Sequence, residues 1–112
     1  MKIKKADEVP SEAVAAEGAR GAEIRLLIHE ADGATNFYMR QFTLAAGGCT
    51  PLHAHQWEHE IYVLAGRGAM DSADGAKPVE AGFCVFVAPN EKHRVRNAGP
   101  GPLKFLCLIP KT

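Results

Sequence analysis

Turn residues decide what this chain can become. Eleven glycines and seven prolines are spread through 112 residues, at intervals too short for a helical bundle. Between them stand short runs rich in β-branched and aromatic residues, recurring roughly every 8–12 residues as in sandwiches and barrels. AEIRLLIHEAD ends at the turn signal Asp32-Gly33. NFYMRQFTL places Phe37, Met39, Gln41 and Thr43 on one face and Tyr38, Arg40, Phe42 and Leu44 on the other, and the stretch closes at Gly47-Gly48. EIYVLAGRGAMDS is interrupted by Gly66 and Gly68, and a turn at Asp74-Gly75 makes a hairpin with AKPVEAG. FCVFVAP, bounded by Gly82 and Pro89, reads as a fully buried strand. HRVRN then leads to the turn Gly99–Pro102, and LKFLCLIP is the last strand.

The expectation is therefore an all-β domain over residues 21–112, preceded by an arm over residues 1–20. Within the arm, Ser11 to Glu17 is predicted to make one or two helical turns, capped by Ser11 and closed by Gly18. Thirteen basic residues balance thirteen acidic ones, so the chain carries no electrostatic footprint for nucleic acid or an anionic membrane. No apolar run approaches the roughly 20 residues that span a bilayer. The three cysteines, Cys49, Cys84 and Cys107, have no CxxC spacing and fit reduced thiols, which makes the cytoplasm the expected compartment. Cys84 and Cys49 are read as a core and a turn residue.

Four of the five histidines form one pattern: His53, His55 and His59 in HAHQWEH, and His93 in PNEKHRVRN. Histidines at i and i+2 share a strand face, and neutral imidazole suits Mn, Fe, Co, Ni, Cu and Zn. His29, outside the pattern, reads as an ordinary polar residue. Glu60 rivals His59 as third ligand. Alternation favours His59, which shares a face with Ile61 and Val63, while Glu60 falls with Tyr62 and Leu64.

These residues resemble the cupin superfamily, whose first motif is G(x)5HxH(x)3–4E(x)6G. Here Gly47 is followed by GCTPL and His53-Ala54-His55, and the spacing to Gly66 puts His59 where glutamate is usual. The second motif, G(x)5PxG(x)2H(x)3N, runs from Gly82 through His93 to Asn97, with Ala88 in place of proline and Asn90 in place of glycine. Asn visits the left-handed region more readily than other non-glycine residues. EHEIYVLAG and FLCLIP look like those of small, single-domain, manganese-binding cupins with an all-histidine site. The resemblance implies a conical antiparallel β-barrel (jelly roll) and a homodimer, with the N-terminal arm suited to covering a partner's edge. It also implies one divalent transition metal, manganese foremost with Fe, Cu, Ni or Zn as alternatives, on His53, His55, His59 and His93.

Two further residues are candidates for catalysis. Arg40 either holds a carboxylate or anionic intermediate near the metal, or is a solvated strand residue. Cys107 shares a face with Phe105 and Ile109, and the resemblance implies that this face lines the metal cavity. Its thiol is either a redox-sensitive neighbour of the metal or a small core residue. Trp57 is read as a packing or dimer-face residue. No Ser/His/Asp arrangement, carboxylate pair or phosphate-cradling loop occurs. The expected function is oxidation of a small apolar or aromatic compound by O₂ or a peroxide at the metal. The alternative is a non-catalytic cupin that binds or senses a small molecule. A sugar-phosphate isomerase is disfavoured, for want of a basic cluster around the histidines.

Overall fold

The computed structural model describes residues 1–112. Nine strands form one antiparallel sheet that curls on itself: β1 (Glu12–Ala13), β2 (Arg20–Ile28), β3 (Phe37–Cys49), β4 (His59–Ala65), β5 (Arg67–Ser72), β6 (Gly75–Glu80), β7 (Cys84–Val87), β8 (His93–Asn97) and β9 (Leu103–Pro110). The long β3 is the spine. Its first part lies between β2 and β9, and its end pairs with β8 through Cys49 and Arg96. The sheet, in the order β6-β5-β8-β3-β9-β4-β7, is all-β as the turn spacing led one to expect, and its curl is that of the antiparallel barrel the cupin resemblance implies.

Alternation along β3, β4 and β9 fills the interior. Phe42, Leu44, Ile61, Val63, Leu103, Phe105 and Cys107 belong to one buried cluster, with Phe105 stacked on Phe42 at 5.2 Å. Each large apolar side chain taken out of water contributes about 1.5–3 kcal/mol. At the far end of β8, Asn97 ties the strand to its neighbours. Its side-chain nitrogen donates to the carbonyls of Leu44, Ala45 and Gly101, and its oxygen accepts from the Gly99 N–H. Gly66, at φ 88°, makes the β4–β5 turn so close to Pro102 that a Cβ there would stand 2.4 Å from its carbonyl oxygen.

Three expectations are corrected. No helix forms over Ser11–Glu17: Glu12 and Ala13 pair with Ile24 and Glu23, and the Val14 N–H donates to the Ala22 carbonyl. A short alanine-rich helix is marginal without an apolar face to bury, whereas the edge of β2 offers the arm ready backbone partners. The arm is further pinned by the Arg25 guanidinium, which donates to the carbonyls of Ala6, Asp7 and Val9. Next, β7 is an outer strand and not a fully buried one, since it ends the sheet order and leaves Phe83, Cys84 and Phe86 exposed. An apolar run fixes a strand but not the number of its covered faces. Finally, Cys84 lies on that exposed strand and Cys49 is buried at the end of β3, the reverse of their expected settings. No helix is long and apolar enough to cross a membrane.

Candidate metal centre

Backbone pairing brings the two histidine stretches together. His53 and His93 form an isolated antiparallel bridge, each N–H donating to the other's carbonyl. The turn before β8 is held by Asn90, the one non-glycine residue with positive φ, at 65°. The Asn90 N–H donates to the His55 carbonyl, so the turn that carries one histidine is tied to the loop that carries another. Asn in the glycine position thus keeps the left-handed geometry, as the sequence led one to expect.

Ligating atoms of His53, His55 and His93 all lie within 4.8 Å of one another. The Nε2 atoms of His53 and His55 are 3.0 Å apart. Two imidazole nitrogens this close share either a hydrogen bond or a cation. With metal–nitrogen bonds of about 2.0–2.2 Å, neighbouring donors on an octahedron stand about 3.0 Å apart, so the pair fits a common ion. His93 Nδ1 is 2.8 Å from the Glu91 carbonyl. A proton held there by the carbonyl leaves Nε2 with its lone pair free, the tautomer a metal ligand requires.

His59 is not part of that trio, but it stands against it. Its ring stacks on His55 at 4.7 Å and meets His93 edge-on at 5.1 Å. It is buried, whereas Glu60 is exposed, as alternation on β4 requires. His59 Nε2 is buried with no hydrogen-bond partner, and its Nδ1 lies 3.3 Å from Cys107 Sγ. A buried polar nitrogen without a partner is costly, and a cation would satisfy it. Burial, neighbouring imidazoles and Arg40 press His53 down to about 4 and His59 to about 3. His55 is lowered from the usual range in the same way, burial first. These three imidazoles are therefore held in the neutral form that binds metal.

The histidines line a cavity of about 390 Å³. Arg40 and Cys107, opposite one another across β3 and β9, both face it, and the guanidinium donates to Sγ at 3.0 Å. Burial raises the Cys107 thiol above its ordinary value, opposed by Arg40. Cys107 is buried and belongs to the core cluster, so the cavity wall and the core are the same surface here. Two contributors escaped the sequence reading. Trp57 packs flat on His55 at 4.7 Å and lines the cavity; its odd-numbered place in the series 53, 55, 57, 59 was the available signal. Ala13 to Ala16 of the arm cover another wall, and nothing local in the sequence announces it. A second, roomier groove of about 660 Å³ runs beneath the first residues of the arm, past Ile3, Val9 and Met39, and none of the four histidines lines it.

Comparison with known proteins agrees with the fold. The Cupin domain family matches residues 40–109, and the chain belongs to that family. An uncharacterised protein of Methanocaldococcus jannaschii is 33% identical over 94 residues, covering 78% of this chain and 71% of that protein. The oxalate-binding protein of Thermotoga maritima is 36% identical over 67 residues, and the match spans 59% of this chain and 55% of that relative. Among solved structures, the polyketide cyclase RemF from Streptomyces resistomycificus superposes with a TM-score of 0.93 at 34% identity, covering 98% of this chain and 79% of the other.

Proposed function

We propose that this cupin is a metal-dependent enzyme of small aromatic or polyketide-like compounds, with His53, His55, His59 and His93 as ligands of one divalent transition ion, manganese foremost. The observation that carries the ligand set is the chemistry of the donors: three converging imidazoles, and beside them a fourth whose buried Nε2 has no other partner. Mg and Ca, which want oxygen ligands, suit such a set poorly. When bound, such an ion supplies Lewis-acid polarisation of a carbonyl or phenolic oxygen at the positions four imidazoles leave open, and a redox-capable ion also supplies electrons to O₂ or a peroxide.

The chain's own residues do the rest. Phe42, Phe105, Ile61, Ile109 and Trp57 exclude water from the cavity and hold a flat substrate. Arg40 binds the oxygen on which negative charge develops. Cys107 fixes the guanidinium from one side and touches His59 from the other. Carbonyl activation leading to ring closure is the first reading, favoured by the likeness to the polyketide cyclase over 98% of the chain. Oxidation by O₂ or a peroxide is the second, favoured by the neutral all-imidazole ligand set.

Metal-loaded protein is to be incubated with aromatic poly-β-ketone analogues, and separately with phenolic and styrene-type compounds under O₂ or peroxide. Metal-dependent product in the first set supports cyclisation, and in the second, oxidation. Saturable binding with no product in either would convert the account to that of a binding or sensing cupin.

A further inference from the structure

We infer that the cavity is built for an aromatic anion, whose carboxylate or enolate oxygen pairs with Arg40. This deepens the proposed function by naming the ligand class of the same site, and it depends on that site being where the ligand sits.

Nineteen residues line the cavity, and none is aspartate or glutamate. The chain's ion pairs lie elsewhere, between Lys4 and Asp32 and between Asp71 and the arginines Arg94 and Arg96. Arg40 has only soft partners, the Cys107 sulfur at 3.0 Å and the Phe42 ring at 5.1 Å. Its Nε–H is buried with no acceptor at all. A guanidinium has five donors in a planar fork that matches a carboxylate, and here most of that capacity is unspent. A cation on an apolar wall without a counter-ion is poorly compensated, and a cation on the histidines would add charge of the same sign. The missing partner is negative.

Aromatic side chains form part of the cavity wall. Phe42 and Phe105 are stacked with 12° between their planes, and Trp57 lies within 2° of the His55 plane. Val14, Ile24, Ile61 and Ile109 complete an apolar enclosure. Flat aromatic surfaces favour flat ligands. The volume, about 390 Å³, is at the small end of ordinary ligand sites and suits about one to three fused rings. A compact dianion such as oxalate would satisfy Arg40 and leave those walls unused.

Trp57, the single tryptophan, reports occupancy by its fluorescence. The probes are 2-naphthoate, its neutral isostere 2-naphthamide, and oxalate. Each is titrated into metal-loaded and chelator-stripped protein, as wild type, Arg40→Met and Arg40→Lys, with calorimetry as a second readout. We expect naphthoate to bind at least about tenfold more tightly than naphthamide to wild type in both metal states, the size of one charge-assisted contact. In Arg40→Met that preference falls to within about threefold while naphthamide affinity holds, and in Arg40→Lys part of it returns. Equal binding of the two naphthalenes to stripped wild type overturns the inference. So does a preference that survives Arg40→Met, or tight oxalate binding with neither naphthalene bound. A protein without metal or turnover that still prefers naphthoate through Arg40 would refute the enzyme reading and leave this inference standing.

Discussion

Replacing Asn97 tests how the histidine-bearing strand β8 is anchored. The side chain is 6% exposed and meets four backbone groups at 2.9–3.1 Å, with two amide hydrogens serving the carbonyls of Leu44, Ala45 and Gly101 and one oxygen serving the Gly99 N–H. Asn97→Ala removes them all. Two donors and one acceptor are lost, each worth about 1 kcal/mol net, and water reaches some of the orphaned groups, so the loss is about 2–4 kcal/mol. For a domain of this size that lowers the melting temperature by roughly 10–25 °C. Asn97→Asp is worse at neutral pH, because a carboxylate oxygen then faces carbonyl lone pairs. Its folded-state pKa is raised above the unfolded value near 4, so its protonated form carries the stability. That contribution is present below about pH 4 and lost as pH rises through the folded pKa. Urea unfolding at pH 7 and pH 5 measures both. The Asp variant should fall below the Ala variant at pH 7 and recover toward it at pH 5. An Ala variant within 0.5 kcal/mol of wild type, or an Asp variant indifferent to pH, would refute the reasoning.

Further expectations follow from the same structure. In chelator-stripped protein His53 and His59 hold pKa values of about 4 and about 3 against the ordinary 6.5. The unfolded chain therefore binds the extra protons. Stability is whole above about pH 6.5 and is lost as pH falls through 6.5 toward 4 and below, and a flat urea midpoint between pH 7 and pH 4.5 would contradict it. Gly66→Ala, with its Cβ set against the Pro102 carbonyl, should cost more than Gly47→Ala, where φ is positive but nothing lies within 4 Å. About 1–2 kcal/mol is expected for the backbone term at Gly47 and at least 1 kcal/mol more at Gly66; thermal melts giving equal losses would count against the packing. The outer face of β4 and β7 exposes Tyr62, Leu64 and Phe86, and we propose that it pairs in the homodimer the cupin resemblance implies; light scattering should find a dimer, and a monomer would count against it.

Much of this was legible because a strand's side chains alternate. Parity alone put Phe42 and Leu44 on one face with Arg40, chose His59 over Glu60, and put Phe105, Cys107 and Ile109 on one face; the structure turns these faces inward. The motif spacing was legible because the turns holding His53 and His93 each need particular residues, down to Asn90 at positive φ. What stayed hidden depends on contacts distant in sequence. The arm becomes β1 only because β2 offers it an edge, and Cys84 and Phe86 of β7 are exposed because nothing covers that face of the strand. Neither fact is written in the local pattern of SEAVAAEG or FCVFVAP. Arg40 was ambiguous for a related reason: parity gives its face, but its want of a counter-ion appears only when every wall of the cavity is assembled.

Elemental analysis of freshly purified, untagged protein beside His53→Ala and His59→Ala bears most directly on the four-histidine centre. Near one divalent transition ion per chain, manganese foremost, is expected in wild type, with the ion lost in His53→Ala and reduced in His59→Ala. Absence of metal from all three proteins, or a content that neither substitution changes, would contradict it.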